Sequence, residues 1–293
     1  MGRLPSVHAD NEWSSLKSVI VGRAGRACFP TAPPEMIRAI MPAAHVSRFK
    51  PNSPFPANIV AKAEAELNGL AALLEDRGIK VYRPENVDWL AEGGYTGAMA
   101  RDGLMSVGNV LIESLFAFPS RSREIELAHG KILEELSADS NVHVVRRPSN
   151  TFSDSIFRGV NNNKPWVINN SRPAFDTADF ARFGNVIIGQ LSHVTNPAGV
   201  EYIRQHLPPG YSVELLDVHD PQAMHIDSTI TALREGLLVY HPQKVTKASL
   251  RKHRVFDGWD LRPFPFVPVE QPGNPPLFIS SPWICLNVLV LDA

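Results

Sequence analysis

The sequence predicts a mixed α/β fold built from repeated strand–strand–helix–strand modules around a common axis. Three observations point there. Pairs of apolar runs recur about a tight-turn signal, and each pair precedes a stretch with helical periodicity. Each helical stretch then gives way to a Gly/Pro/Asp/Asn break and a short strand. The pattern returns in register over about 17–84, 98–148, 175–217 and 224–266, with a partial fifth copy at 280–293. The whole of 1–293 is expected to form one domain.

In the first module Ser18-Val19-Ile20-Val21 is a strand. A helix follows over about Pro56 to Arg77, with Ile59, Val60, Ala63, Leu67, Leu70, Leu73 and Leu74 at core spacing. Gly78 stops it, and Ile79–Tyr82 alternates as a strand. The insert at 23–55, with its prolines and scattered polar residues, is expected to be a loop or lid over a site.

The second module sets Leu104–Val107 and Val110–Glu113 about Gly108-Asn109, then a helix over Ser122–Leu136 and a strand at Val142–Val145. The third sets Phe180–Phe183 and Val186–Gln190 about Gly184-Asn185, then Pro197–Leu207 and Tyr211–Leu216. The fourth sets Thr229–Leu233 and Leu237–Tyr240 about Glu235-Gly236, then Thr246–Val255 and a strand at Leu261–Phe264 weakened by Pro263. Trp283–Leu291 is nearly continuously apolar and reads as a buried strand, with Cys285 a small buried hydrophobe inside it. Asp292 would open a turn, so the fifth module is expected to be incomplete.

Charge is balanced, with 29 basic and 30 acidic residues and no basic stripe, which argues against a nucleic-acid partner. No apolar run reaches the roughly 18 residues a membrane span needs. Two cysteines, Cys28 and Cys285, exclude a disulfide framework or a Cys-rich zinc site. The N-terminus lacks a secretory signal, so a cytoplasmic setting is expected. Met1-Gly2 with Ser6 fits the loose myristoylation pattern, and Asn169-Asn170-Ser171 fits a glycosylation sequon. Both patterns fix few positions and carry little weight.

Three polar clusters stand at equivalent places before the hairpins: Arg101-Asp102, Asp176-Thr177-Ala178-Asp179, and His225-Ile226-Asp227. A cyclic repeat would gather them at one end of its axis. His225 and Asp227 are two apart and on a strand would point the same way. A His can shuttle protons and a carboxylate can orient it. Asp102, Asp176 and Asp227 together suit a cation, above all a planar guanidinium. Any one Asp at a strand entrance is more simply a turn or cap residue; the recurrence in register is what argues for a site.

The segment Asn11-Glu12-Trp13-Ser14-Ser15-Leu16-Lys17-Ser18-Val19-Ile20-Val21-Gly22-Arg23 resembles the N-terminal signature of the arginine:glycine-type amidinotransferases. So do Ala98–Asp102 with Val107-Gly108-Asn109, Phe175–Phe180, Met224–Asp227, Ser280–Trp283 and Asn287-Val288-Leu289, in the same order. The resemblance implies the pentein fold, a five-bladed α/β propeller of ββαβ modules. It also implies transfer of the amidino group of arginine to a small amine through a covalent thiol intermediate, without a cofactor or metal. By resemblance His225 would be the general acid/base, Asp176 its partner, and Asp102 and Asp227 the holders of the guanidinium. Ser280 and Ser281 would face the amino-acid end of the donor, and Lys244 stands where the family has an arginine for the donor's carboxylate. A homodimer is compatible with this reading.

The family's catalytic cysteine lies in a Gly-rich C-terminal segment, so the chain is expected to be truncated before it and impaired or inactive. Cys285 in its strand and Cys28 in the insert are not expected to replace it. The alternative is a non-catalytic arginine- or guanidino-binding protein, or one that regulates an intact homologue. A hydrolase of the same superfamily fits the Asp/His set but not the Asn-Glu-Trp opening.

Overall fold

The structure, a computed structural model, describes residues 5–31, 50–149, 154–158, 166–220, 224–267 and 285–292. The chain opens with β1 (Ser18–Ile20), β2 (Arg23–Cys28), α1 (Ala57–Glu75), β3 (Lys80–Tyr82) and β4 (Tyr95–Gly97). β1 pairs parallel with β3, and β2 pairs antiparallel with β4. The expected insert therefore begins as a strand. Its small residues Ala24, Ala27 and Cys28 are buried, and Glu64 of α1 accepts the Gly25 N–H at 2.8 Å. Residues 32–49 of the insert lie outside the described residues. On α1, Ala71 and Leu74 are buried while Leu70 and Leu73 are exposed, so the apolar stripe is wider than the surface that covers it.

Three modules then repeat one topology. Residues Ala100–Gly103 form the single turn α2, leading into β5 (Leu104–Val107), β6 (Val110–Glu113), α3 (Glu124–Ser137) and β7 (His143–Val145). The next comprises β8 (Phe180–Phe183), β9 (Val186–Gly189), α4 (Pro197–His206) and β10 (Ser212–Leu215). The last comprises β11 (Ile230–Arg234), β12 (Leu237–Tyr240), α5 (Lys247–Leu250) and β13 (Asp260–Pro263). In each, an antiparallel hairpin gains a parallel third strand after its helix. The hairpin turns place Gly108, Gly184 and Gly236 at positive φ, where a side chain would be strained.

The fourth helix is shorter than expected. Arg251 donates to the carbonyls of Phe256 and Trp259, drawing the chain into a tight 3-10 turn at Arg254–Phe256. Pro263 closes β13, which lies at the outer end of the β11–β12–β13 order, where a missing donor costs no ladder bond.

Cores are shared between neighbours. Val107, Ile112, Phe175, Phe180 and Ile187 join the second and third modules, and Phe183, Ile188, Leu238 and Phe256 join the third and fourth. The expected strand at Trp283–Leu291 is not one over its described part. Residues 285–292 run from β11, where Thr231 donates to the Leu286 carbonyl, to the approach of β1, where Leu16 N–H donates to the Leu291 carbonyl at 2.9 Å. Spanning two sheets rather than lying along one, this segment buries Leu286 but leaves Cys285, Val288 and Leu289 exposed. Cys285 is thus a surface thiol, not a core residue. Among the described residues no helix is long and apolar enough to cross a membrane.

Candidate active site

The three entrance turns meet. Asp102 sits on α2, Asp176 precedes the 3-10 turn Thr177–Asp179, and His225 precedes the 3-10 turn Ile226–Ser228. Arg101 ties the first two together: its guanidinium donates to the Thr177 carbonyl at 2.9 Å and the Phe180 carbonyl at 2.6 Å. The Thr177 hydroxyl donates back to the Arg101 carbonyl at 2.6 Å. The opening Asn11-Glu12-Trp13 segment braces the same end. Glu12 accepts a fork from Arg182 at 2.7 and 2.8 Å, and Trp13 packs against Phe183 and Trp259. Burial opposes a charge on Glu12, but Arg182 and Arg101 hold its carboxyl down at about 2.

His225 Nε2 lies 3.1 Å from Asp176 Oδ2, and its Nδ1 lies 3.8 Å from Asp102 Oδ1. Both carboxylates are buried. Burial alone would lower the imidazole, but Asp102, Asp176 and Asp179 outweigh it and push His225 up to about 10. It is therefore an imidazolium at neutral pH, able to give a proton. Burial pushes Asp176 upward, against the pull of His225 and Arg121. Asp179 anchors the backbone of the site: one oxygen accepts the His225 N–H at 2.9 Å and the Gln190 amide at 2.9 Å, the other the hydroxyls of Ser192 and Thr195 at 2.6 and 2.5 Å. That grip holds His225 at φ +67, a conformation side chains disfavour and functional sites often contain.

The remaining candidates are placed differently. His225 and Asp227 do not share a strand face, because Asp227 lies within the 3-10 turn that His225 precedes. Asp227 is half-buried and accepts the Asn287 amide at 3.0 Å, and burial pushes its carboxyl up. Lys244 Nζ lies 3.0 Å from Asp220 and donates to Ser228 Oγ at 3.0 Å, so its charge is already partly matched. Ser280 and Ser281 lie outside the described residues.

Arg121 and Glu124 escaped sequence reasoning. Arg121 Nη1 donates to Asp102 Oδ2 at 3.0 Å and to Asp176 Oδ2 at 3.3 Å, while its other nitrogens fork onto Glu124 at 2.8 and 2.9 Å. An Arg three residues before a Glu at a helix start was the available signal. The cavity around the cluster, about 90 Å³, is walled by Tyr95, Met99, Phe118, Val194 and Met224. Ligand atoms of Asp102, Asp176 and His225 lie within 4.8 Å of one another, close enough to gather round a metal. Arg121 and protonated His225 already bring positive charge there, which disfavours a divalent ion. With Asp227 and Asp179 nearby, the four described aspartates outnumber the cations Arg121, His225 and Arg101, which suits a further organic cation.

The chain is 34% identical over 316 residues to the mitochondrial glycine amidinotransferase of Danio rerio, covering 98% of this chain and 71% of that protein. It is 34% identical over 298 residues to the L-arginine:L-lysine amidinotransferase of Pseudomonas savastanoi pv. phaseolicola, covering 96% and 80%. An amidinotransferase of the saxitoxin biosynthetic pathway from Microseira wollei superposes with a TM-score of 0.82 at 30% identity, covering 98% of this chain and 84% of that one. No family model matches the chain.

Proposed function

Since the chain belongs to the amidinotransferase family and has its pentein fold, we propose that the Asp102–Asp176–His225 cavity takes the guanidinium of arginine as amidino donor, for passage to a primary amine such as glycine. The observation that carries this is the charged imidazole 3.1 Å from a buried carboxylate, in a cavity where carboxylates outnumber cations.

In this reading a thiolate attacks the guanidinium carbon, forming a C–S bond. As the C–N bond to the departing ornithine amine breaks, His225 gives that nitrogen its proton, and Asp176 holds the ring in place. In the second half the neutral His225 takes a proton from the acceptor ammonium, whose nitrogen displaces the sulfur. Asp102 and Asp227 hold the guanidinium, and the incoming cation lowers His225 toward neutrality by competing for the same carboxylates. Lys244 meets the donor's carboxylate, weakened there by its bond to Asp220.

Neither described cysteine lines that cavity. Cys28 is buried, hydrogen-bonded to the Phe29 carbonyl at 3.3 Å, and its thiol is pushed up by burial and by Asp88. Cys285 is a surface thiol. Two free cysteines also support a reducing, cytoplasmic setting, which cell fractionation checks.

Calorimetry with arginine is the test of the donor site. Binding heat that disappears in Asp102→Asn is expected, and no heat with the wild type removes the donor reading. Ornithine release that Cys285→Ser or Cys28→Ser abolishes would overturn only the claim about the thiols.

A further inference from the structure

The deepest charged pair in the cavity wall is Arg121 with Glu124, 7% and 1% exposed. The fork onto Glu124 uses Nε and Nη2, which leaves Nη1 aimed at the two site carboxylates. The guanidinium plane is also backed by the Phe116 ring, 4.1 Å from its carbon. Asp176 Oδ2 is thus shared between Arg121 Nη1 and His225 Nε2. A buried arginine needs one carboxylate to be satisfied; this one reaches past its partner to two more, from two other entrance turns.

We propose that Arg121 is a positioning residue for the donor guanidinium: locked by Glu124, it occupies one oxygen of Asp102 and one of Asp176 and leaves the others to the substrate. This rests on the donor reading above. It gives the cavity two consequences. The two carboxyl groups are fixed in relative orientation beside His225, and one oxygen of each is already engaged, so the site accepts a single delocalised cation rather than a divalent ion or a pair of amines. A lysine at this position keeps the charge but cannot fork Glu124 and bridge both aspartates at once.

The test combines arginine calorimetry with a pH titration of the His225 ring by NMR in ¹⁵N-histidine-labelled full chain. The groups facing that ring are Asp102, Asp176, Asp179, Asp227 and Arg121. In Arg121→Lys, arginine should bind at least about tenfold more weakly with the His225 midpoint near its wild-type value. In Arg121→Met, the midpoint should rise by about one pH unit, because His225 no longer shares Asp176 with a cation. Glu124→Gln leaves Arg121 charged but loosens its fork, and should show a smaller loss of arginine affinity; it serves should the Arg121 variants not fold. A folded Arg121→Lys or Glu124→Gln that binds arginine as the wild type does, or a folded Arg121→Met with an unmoved His225, would mean that Arg121 only braces the start of α3. Wild type without arginine binding defeats the donor reading itself, whereas wild-type binding with unaffected variants defeats this inference alone.

Discussion

At the scale of single residues, Asp176 and Asp179 divide the work on His225. Asp176 meets the ring, and Asp179 holds four donors at once, one of them the His225 backbone N–H. Asp179→Ala should cost about 2–4 kcal/mol in urea unfolding, since it strands several buried donors; a loss below about 1 kcal/mol would show that the grip is dispensable. The pH dependence follows from the folded-state shift. His225 is raised from 6.5 to about 10, so the stability it adds as an imidazolium is fully present below 6.5 and lost as pH rises toward about 10. Asp176→Asn should lower the His225 midpoint and flatten the wild-type decline of stability over that alkaline range, measured by unfolding at several pH values. A decline as steep as the wild type's would assign it to other groups.

At the scale of elements, α4 carries more than its own turns. Its N-cap Asn196 accepts the Gly199 N–H at 2.8 Å and the Ala174 N–H at 3.1 Å, and its amide donates to the Asn169 and Arg172 carbonyls at 2.9 and 2.8 Å. The cap therefore nails down the strand of chain that leads to Asp176. Gly199 lies against the Ala174 carbonyl so closely that a Cβ would overlap it. Gly199→Ala should destabilise by about 1–3 kcal/mol in thermal unfolding and also weaken arginine binding, because the displaced segment carries the site aspartate. Unchanged stability would refute the close-packing argument. The hairpins and helices were legible because turn glycines and helical periodicity are local signals. The start of α4 at Pro197 was legible, but the Asn196 cap and what it holds were not, since Ala174 is brought to it only by folding.

At the scale of the molecule, burial of ionisable groups sets the response to acid. His129 on α3 is fully buried, with neither ring nitrogen hydrogen-bonded among the described residues, and burial together with Arg121 lowers it from 6.5 to about 4. Its folded pKa is depressed, so stability falls as pH drops through 6.5 toward 4, by up to about 3 kcal/mol. Glu124, raised by burial to about 7, and Asp179, raised to about 6, bend the curve the other way, because the folded state holds their protons more tightly. The difference between wild type and His129→Leu cancels those contributions. It should tilt toward the variant by about 2–3 kcal/mol between neutral and pH 4; a difference independent of pH would mean that His129 takes up its proton equally readily in the folded and unfolded chain.

Much of this protein was legible in the sequence alone: the repeated hairpin–helix–strand modules, the family, and the gathering of Asp102, Asp176 and His225. These follow from periodicity, turn chemistry and motif order, which are properties of neighbouring residues. The tertiary structure decided the rest. It put Asp227 in a 3-10 turn instead of on a strand face with His225, matched Lys244 with Asp220, brought Cys285 to the surface, and led Arg121 into the carboxylate cluster. Each of those depends on charges and chain segments distant in sequence, such as Asp102 and Asp176, 19 and 55 residues from Arg121, whose interaction energies exist only once the modules close upon one another.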